Sequence, residues 1–397
     1  LFPEGRERYL VWTKNLATQE SAKKPVFEWR VSRKNARRFV QENGYATFVH
    51  EGPLPRKIPK HWVAWEREHV LPSLVFEPQE QIGALPEGWW QKAIRVQEAK
   101  NFAASKGLAA DKVVVGIVDS GADIDHPWLV NAFHRAAGEI PNNGIDDDGN
   151  GFVDDVIGYD FVGEDAEPDD LFGHGSHVAG LVGARHPQTD APVGLNDHVT
   201  IRLARALDQA GKSNSIDLAR AVSYLASERV DVMNCSWGGG PVTQALRDAF
   251  AYAVNSGVLV MSSAGNDRMD TDKHPQVPKM FSGVVSVGAY SENGTKAPFS
   301  NWGRNSVHWF APGDKIMSTV PGSLWGEKSG TSMASPIAAN VASWILGLVR
   351  NQFPHDTRME RVERVKKIVC ASGSAGILQG ISSCGRIDAL RAIENMQ

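Results

Sequence analysis

Residues 113–121 read Val-Val-Val-Gly-Ile-Val-Asp-Ser-Gly. An unbroken apolar run of this length leaves no polar face, so a strand here must be covered on both sides. The theme recurs at 200–203, 230–234, 258–262 and 284–287, and helical stretches such as 216–229 and 242–256 fall between the runs. Strands that alternate with helices predict an α/β fold: a doubly wound, mostly parallel sheet with helices on both faces. In such sheets chemistry gathers at the carboxyl ends of the strands. The polar motifs fall there. Asp119-Ser120-Gly121 follows the first run, Asn234-Cys235-Ser236-Trp237-Gly238-Gly239 a second, and Ser263-Ala264-Gly265-Asn266 a third.

A serine hydroxyl is a weak nucleophile at neutral pH and needs a base, oriented by an acid, to take its proton. All three parts are present. Ser332 lies in Ser329-Gly330-Thr331-Ser332-Met333-Ala334-Ser335-Pro336, ahead of an apolar stretch, 337–349, that predicts a buried helix. A serine at that helix N-terminus sits where partial positive charge favours a developing anion. The plainer reading is that Thr331 or Ser332 only caps the helix. His174 lies in Gly173-His174-Gly175-Ser176-His177-Val178-Ala179-Gly180, with His177 as its rival. The His-x-x-His spacing lacks the four-residue step and the Glu of a zinc hydrolase. Asp119 ends its strand, with Asp123 and Asp125 as nearby competitors.

The order Asp, His, Ser narrows the choice. The segments VGIVDSG, GHGSHVAG, SAGND and SGTSMASP resemble the signature blocks of the subtilase family, and the resemblance runs from about Trp89 to Ala392. It implies a subtilisin-like serine endopeptidase. In that likeness Asp119 is the orienting acid, His174 (not His177) the general base and acid, and Ser332 the nucleophile. Asn266 matches the side chain that donates to the tetrahedral oxyanion, with the Ser332 N–H as second donor. Ser236, Trp237 and Gly238 match the strand that pairs with substrate and walls the first specificity pocket, which Trp237 narrows. Ala210 and Gly211 open the other substrate-pairing edge, 210–213. An extended protein or peptide substrate would lie between the two as an added strand. The floor of the pocket is expected in 269–278, where Asp270 or Asp272 would favour a basic residue and Lys273 oppose one. The same chemistry allows two other outcomes: a catalytically silent peptide-binding scaffold, or a ligase or cyclase that passes the acyl group to an amine. The triad being intact disfavours the scaffold.

Charge divides the chain. Residues 1–84 hold 14 Lys and Arg, 10 Glu and no Asp, a net +4, against −8 for the rest. Opposite signs fit two bodies that dock. A domain over 1–84 and a catalytic domain over 85–397 are therefore expected. The first reads as a small α+β unit: a strand at 8–13, a helix from Ser32 to about Asn43 stopped by Gly44, a loop at 53–59, and a strand at 73–77. It resembles the inhibitory pro-domain of subtilases. That implies a zymogen whose own N-terminal segment is an intramolecular inhibitor, with self-cleavage between about Pro78 and Gly88 in a Pro- and Gly-bearing linker.

Residues 144–155 read Gly-Ile-Asp-Asp-Asp-Gly-Asn-Gly-Phe-Val-Asp-Asp. Asp146, Asp148 and Asn150, followed by Gly151, fit the first half of a calcium loop. The twelfth position is Ile157 where a Glu belongs, so Asp154 or Asp155 must substitute. A structural calcium is expected there, and no cofactor for catalysis. Many relatives carry an Asp after His-Pro that holds another calcium; here the residue is Trp128, which puts that site in doubt. Ser176 stands where Thr is usual, and Ile337 where His often follows the serine-block Pro.

Composition bounds partners and compartment. With 42% hydrophobic and 22% charged residues the chain can build a sizeable core, and a net charge of −4 argues against nucleic acid. No apolar run reads as a membrane span. No signal-peptide pattern is visible, and a chain opening on Leu1 is read as one whose upstream segment has been removed. Cys370 and Cys384 can form one disulfide in an oxidising compartment, while Cys235 reads as a core residue. The family prior is a secreted or periplasmic monomer.

Overall fold

The computed structural model describes residues 88–195, 197–373, 378 and 380–396, together with the backbone course of five N-terminal strands. Those five are β1 (Arg8–Lys14), β2 (Ala36–Glu42), β3 (Tyr45–Glu51), β4 (Trp62–Arg67) and β5 (Gln81–Ile82). After them come helices α1 (Trp89–Ala93) and α2 (Val96–Ser105), then β6 (Val113–Asp119), β7 (Gly158–Asp160), α3 (Gly175–Gly183), β8 (Val199–Arg205), α4 (Ser215–Ser227), β9 (Val232–Cys235), α5 (Gln244–Asn255), β10 (Leu259–Ser263) and β11 (Val285–Tyr290). The chain closes with β12 (Trp309–Pro312), β13 (Ile316–Val320), β14 (Leu324–Lys328), α6 (Thr331–Gln352), α7 (Arg358–Ser372), β15 (Gly385–Arg386) and α8 (Ala389–Glu394).

Eight strands form one parallel sheet in the order β15-β12-β11-β10-β9-β6-β8-β7. The α/β expectation holds, and the apolar runs are strands for the reason they suggested. Alternate residues feed two cores. Val113, Val115 and Ile117 of β6 join a core with α2, α3, α6, α7 and α8, while Val118 joins a second core with α4 and α5. The central helix α6 is apolar enough to cross a membrane by length and composition, yet residues 331–349 are all buried inside the protein. Burial identifies it as a core helix, the buried helix expected over 337–349.

From β6 the chain crosses to the edge strand β7, steps back to β8 beside β6, then passes β6 to β9 and goes onward through β10, β11 and β12. The order reverses at β6, and in an open parallel sheet a crevice forms at such a reversal. Asp119 is the last residue of β6.

Two expectations in the N-terminal part are corrected. The segment read as a helix from Ser32 to Asn43 contains β2, one strand of an antiparallel sheet ordered β2-β3-β1-β4. Glu42 pairs with Tyr45, and the dipeptide between them is Asn-Gly, the strongest short sequence signal for a hairpin. That dipeptide was read as a helix stop. Within the linker 77–88, β5 pairs with β14. The strand at 8–13 is β1. The loop at 53–59 and the strand at 73–77 lie outside the described residues. Cys370 and Cys384 are joined by a disulfide, and Cys235 is a buried free thiol.

Candidate active site

Three motifs, one at a strand end and two at helix N-termini, come together at the crevice. Asp119 closes β6, His174 caps the N-terminus of α3, and Ser332 is the second residue of α6. All are buried: Asp119 and His174 are 0% exposed and Ser332 is 3% exposed. His174 Nδ1 lies 2.6 Å from Asp119 Oδ1, which also accepts the Ser120 N–H at 2.8 Å. An ionised carboxylate makes such a bond short and strong, and it assigns the proton to Nδ1, which leaves Nε2 to act as a base. Close approach makes this possible: a Cβ on Gly175 would stand 2.0 Å from the Gly121 carbonyl oxygen, so only glycine lets α3 begin against the loop after Asp119.

Asp170 ties acid and base together. One carboxylate oxygen accepts from Ser120 Oγ, Phe172 N and Gly173 N, and the other from Ser176 N and Ser176 Oγ. Ser120 Oγ in turn accepts from Gly175 N at 2.9 Å. The sequence reading gave Asp170 no role; its position in the loop just before His174 was the available signal. The departure at Ser176 keeps the hydroxyl that this network uses.

Ser332 is held from the other side. Its hydroxyl donates to the Ser236 carbonyl at 3.0 Å, and Ser236 Oγ donates to the Ser332 carbonyl at 2.9 Å. Asn234 extends the link, donating to Ser236 Oγ and accepting from Ser335 Oγ at 2.6 Å. Asn266 is exposed, and its amide oxygen accepts from both Thr331 N and Thr331 Oγ1 at 2.9 Å. With its oxygen anchored, its NH2 group is the end left to donate.

The competing residues fall elsewhere. His177, 0% exposed, bonds through Nε2 to the Ile316 and Gly326 carbonyls, and burial lowers it to about pKa 3. It pins α3 to β13 and β14 as a neutral ring. Asp123 accepts the Gly322 N–H. Trp237 sends its ring into the second core, edge-on to Phe250, so its backbone is what the crevice meets. Gly211 sits in a turn where the Asp208 N–H reaches the Lys212 carbonyl, and a Cβ on it would meet the Phe172 ring at 2.6 Å.

The acidic loop is arranged differently from its sequence pattern. Asp146 accepts from Asn150 N and Gly151 N, and Asp154 from Asn143 N and Gly144 N. Asn150 Oδ1 accepts from Phe152 N. Of the four expected ligands, Asp148 alone joins a carboxylate cluster, with Glu139 and Asp155, one oxygen of each within 4.8 Å of the others. Glu139 Oε2 and Asp155 Oδ1 are buried and accept no hydrogen bond. Burial, opposed by Arg202, lifts Asp155 to about pKa 6. Hard oxygen donors with two orphaned lone-pair sites fit a calcium ion. Glu139 lies outside the motif and had no signal in sequence.

Comparison with known proteins agrees with this geometry. The model of the subtilase family, peptidase S8, matches residues 110–373. The chain belongs to the subtilase family. It is a serine protease by that membership. It is 34% identical over 247 residues to a thermophilic serine proteinase of Bacillus sp. strain AK1, over 62% of this chain and 55% of that one, so the match spans about half of that relative's length. It is 29% identical to an intracellular serine protease of Paenibacillus polymyxa, over 79% of this chain and 88% of the other. A crystal structure of a cold-adapted subtilisin-like serine proteinase superposes with a TM-score of 0.53 at 27% identity, over 70% of this chain and 87% of that one.

Proposed function

We propose that this subtilase is a self-processing endopeptidase that cleaves peptide bonds through an acyl-enzyme on Ser332. The observation that carries the reading is the buried 2.6 Å bond between His174 Nδ1 and Asp119 at the end of β6, with Ser332 in the first turn of α6 hydrogen-bonded to Ser236 just past the end of the neighbouring strand β9. The Ser332 hydroxyl turns from the Ser236 carbonyl, gives its proton to His174 Nε2, and attacks the carbonyl carbon of an extended substrate. The Ser332 N–H and Asn266 Nδ2 hold the oxyanion, and Asp119 stabilises the imidazolium. His174 then protonates the leaving amine, and water repeats the sequence on the acyl-enzyme. Substrate pairs with 236–238 on one side and with Ala210 and Gly211 on the other.

Residues 1–84 form the inhibitory pro-domain of this reading, and 85–397 the catalytic domain, working as a monomer. The opposite net charges of the two parts support docking. The Cys370–Cys384 disulfide supports an oxidising compartment, secreted or periplasmic. A calcium ion at the acidic loop stabilises the fold, and what supports it is the pair of orphaned oxygens on Glu139 and Asp155 beside Asp148. Chelation should then lower the melting temperature by several degrees and calcium restore it; an unchanged melting curve removes the ion from the proposal.

A fluorophosphonate probe on wild type and on Ser332→Ala, with intact mass followed throughout, tests the main reading. The expected result is labelling of wild type alone, with release of the N-terminal segment. No labelling after the segment is removed would leave a silent scaffold. Labelling with the segment still joined would keep the enzyme and overturn self-processing.

A further inference from the structure

The pocket that receives the substrate side chain before the scissile bond should lie between the 236–238 wall and the segment ending in Asn266. The two segments carry glycine at Gly238 and Gly265. Positions at these two glycines locate an unexpected group. A Cβ on Gly265 would stand 2.9 Å from Lys279 Nζ, and one on Gly238 would stand 3.6 Å from the same nitrogen. Gly265 is also approached by Asn301 Nδ2 at 2.5 Å and Gln276 Oε1 at 3.1 Å, measured the same way. Three polar ends converge where a pocket for an apolar side chain would be lined by carbon.

The residues expected to set specificity do not serve. Lys273 is three-quarters exposed and pairs with Asp270 at 3.1 Å. Asp272 accepts from Asn305 N and Ser306 N. Lys279 lies one residue past the expected floor. It is 5% exposed and has no hydrogen bond or ion pair among the described residues. Asp267, the one charged group that acts on it, is exposed and already takes donors from Asn301 and Gln276. A buried ammonium normally has a partner, because burial without one is costly. No described residue supplies one here, and Nζ, which lacks a partner without being fully buried, opens to solvent, where a guest can reach it.

We infer that Lys279 sets the specificity of this pocket and that the enzyme cuts after acidic residues. The inference rests on the protease reading above. A substrate carboxylate would receive the Lys279 ammonium in a water-poor site, where a charge-assisted bond is strong. The window proposed for self-cleavage, 78–88, contains two acidic residues, Glu80 and Glu87. The mature chain is then expected to begin at Gln81 or Gly88, which intact mass reads directly.

The test uses peptides identical but for Glu, Gln or Leu before the cleaved bond. At pH 7 wild type should favour Glu over Gln by roughly tenfold or more in kcat/KM, and Lys279→Met should lose that ratio. Burial lowers Lys279 to about pKa 8, so the wild-type Glu-to-Gln ratio should also fall between pH 7 and 9.5. This second readout needs no variant, and taking the ratio of two peptides cancels any pH effect that acts on both alike. A preference for Leu over Glu, or a ratio indifferent to Lys279→Met and to pH, overturns the inference while fluorophosphonate labelling keeps the protease. If nothing labels or cleaves, the protease reading falls, and calorimetry on the intact chain decides the pocket. Tenfold tighter binding of a Glu-ended than a Gln-ended peptide, lost in Lys279→Met, supports it; equal binding overturns it.

Discussion

The acid–base end of the crevice and its pocket end are built on opposite principles. At the acid–base end the supporting network is filled: the Asp170 carboxylate accepts five hydrogen bonds, and Ser120 and Ser176 each join two segments through it, while Asp119 keeps Oδ2 buried without a hydrogen bond. At the pocket end two bare glycines face an ammonium with no bonded partner. A proton relay needs one geometry held firmly, and a closed network supplies it. A recognition pocket needs an interaction still to be made, and an unpaired charge supplies that. The same chain therefore spends its hydrogen bonds where chemistry happens and withholds one where a guest arrives.

The contrast can be broken at either end. The largest effect should follow loss of the group that acts only on the transition state. Asn266→Leu should lower kcat by about 10²–10³ with little change in KM, a magnitude known from subtilisin rather than derived from this geometry. A comparable rise in KM would mean that Asn266 binds substrate instead.

Next comes Asp170, a positioning residue. Asp170→Asn puts a donor against the Ser176 N–H and should cost roughly ten- to a hundredfold in kcat, the scale of an ångström-level misplacement. The pH profile should change with it, because His174 is held less firmly on Asp119. A loss of melting temperature with an unaltered pH profile would reduce Asp170 to a structural role.

The last effect, which touches stability and leaves turnover at neutral pH almost unchanged, sharpens the comparison within α3. His177 titrates at about 3 when folded, below its ordinary 6.5. The unfolded chain therefore binds the extra proton first, and stability is present above about pH 6.5 and lost as pH falls toward 3. Between those limits the loss reaches up to about 1.4 kcal/mol per pH unit. His177→Gln should flatten the acid limb of melting temperature against pH; an unchanged limb would assign acid sensitivity elsewhere.

His174 and His177 also show how far sequence carries. Both sit in one short motif, three residues apart, and each was a candidate base. One helical turn separates their fates: His174 meets Asp119, while His177 meets two carbonyls from a hairpin about 140 residues further along. Periodicity and spacing cannot distinguish them, because the partner that decides the role is distant in the chain. The helix expected from Ser32 to Asn43 failed for a related reason. Apolar spacing at 36, 39 and 40 fits a helix, but pairing with β3 satisfies the same backbone groups as a strand.

By itself the sequence determined the parallel sheet, through apolar runs that admit no exposed face, and it narrowed the chemistry to a few Asp, His and Ser residues in motifs at the ends of strands and helices. Those are local properties, set by period and by motif. Only the tertiary structure decided that Asp170 locks the relay, that Glu139 rather than Asp146 meets Asp148, and that Lys279 reaches between Gly238 and Gly265. Each of these depends on where a side chain ends after long-range packing, and a lysine's role is set by what surrounds its charge, which spacing along the chain does not record.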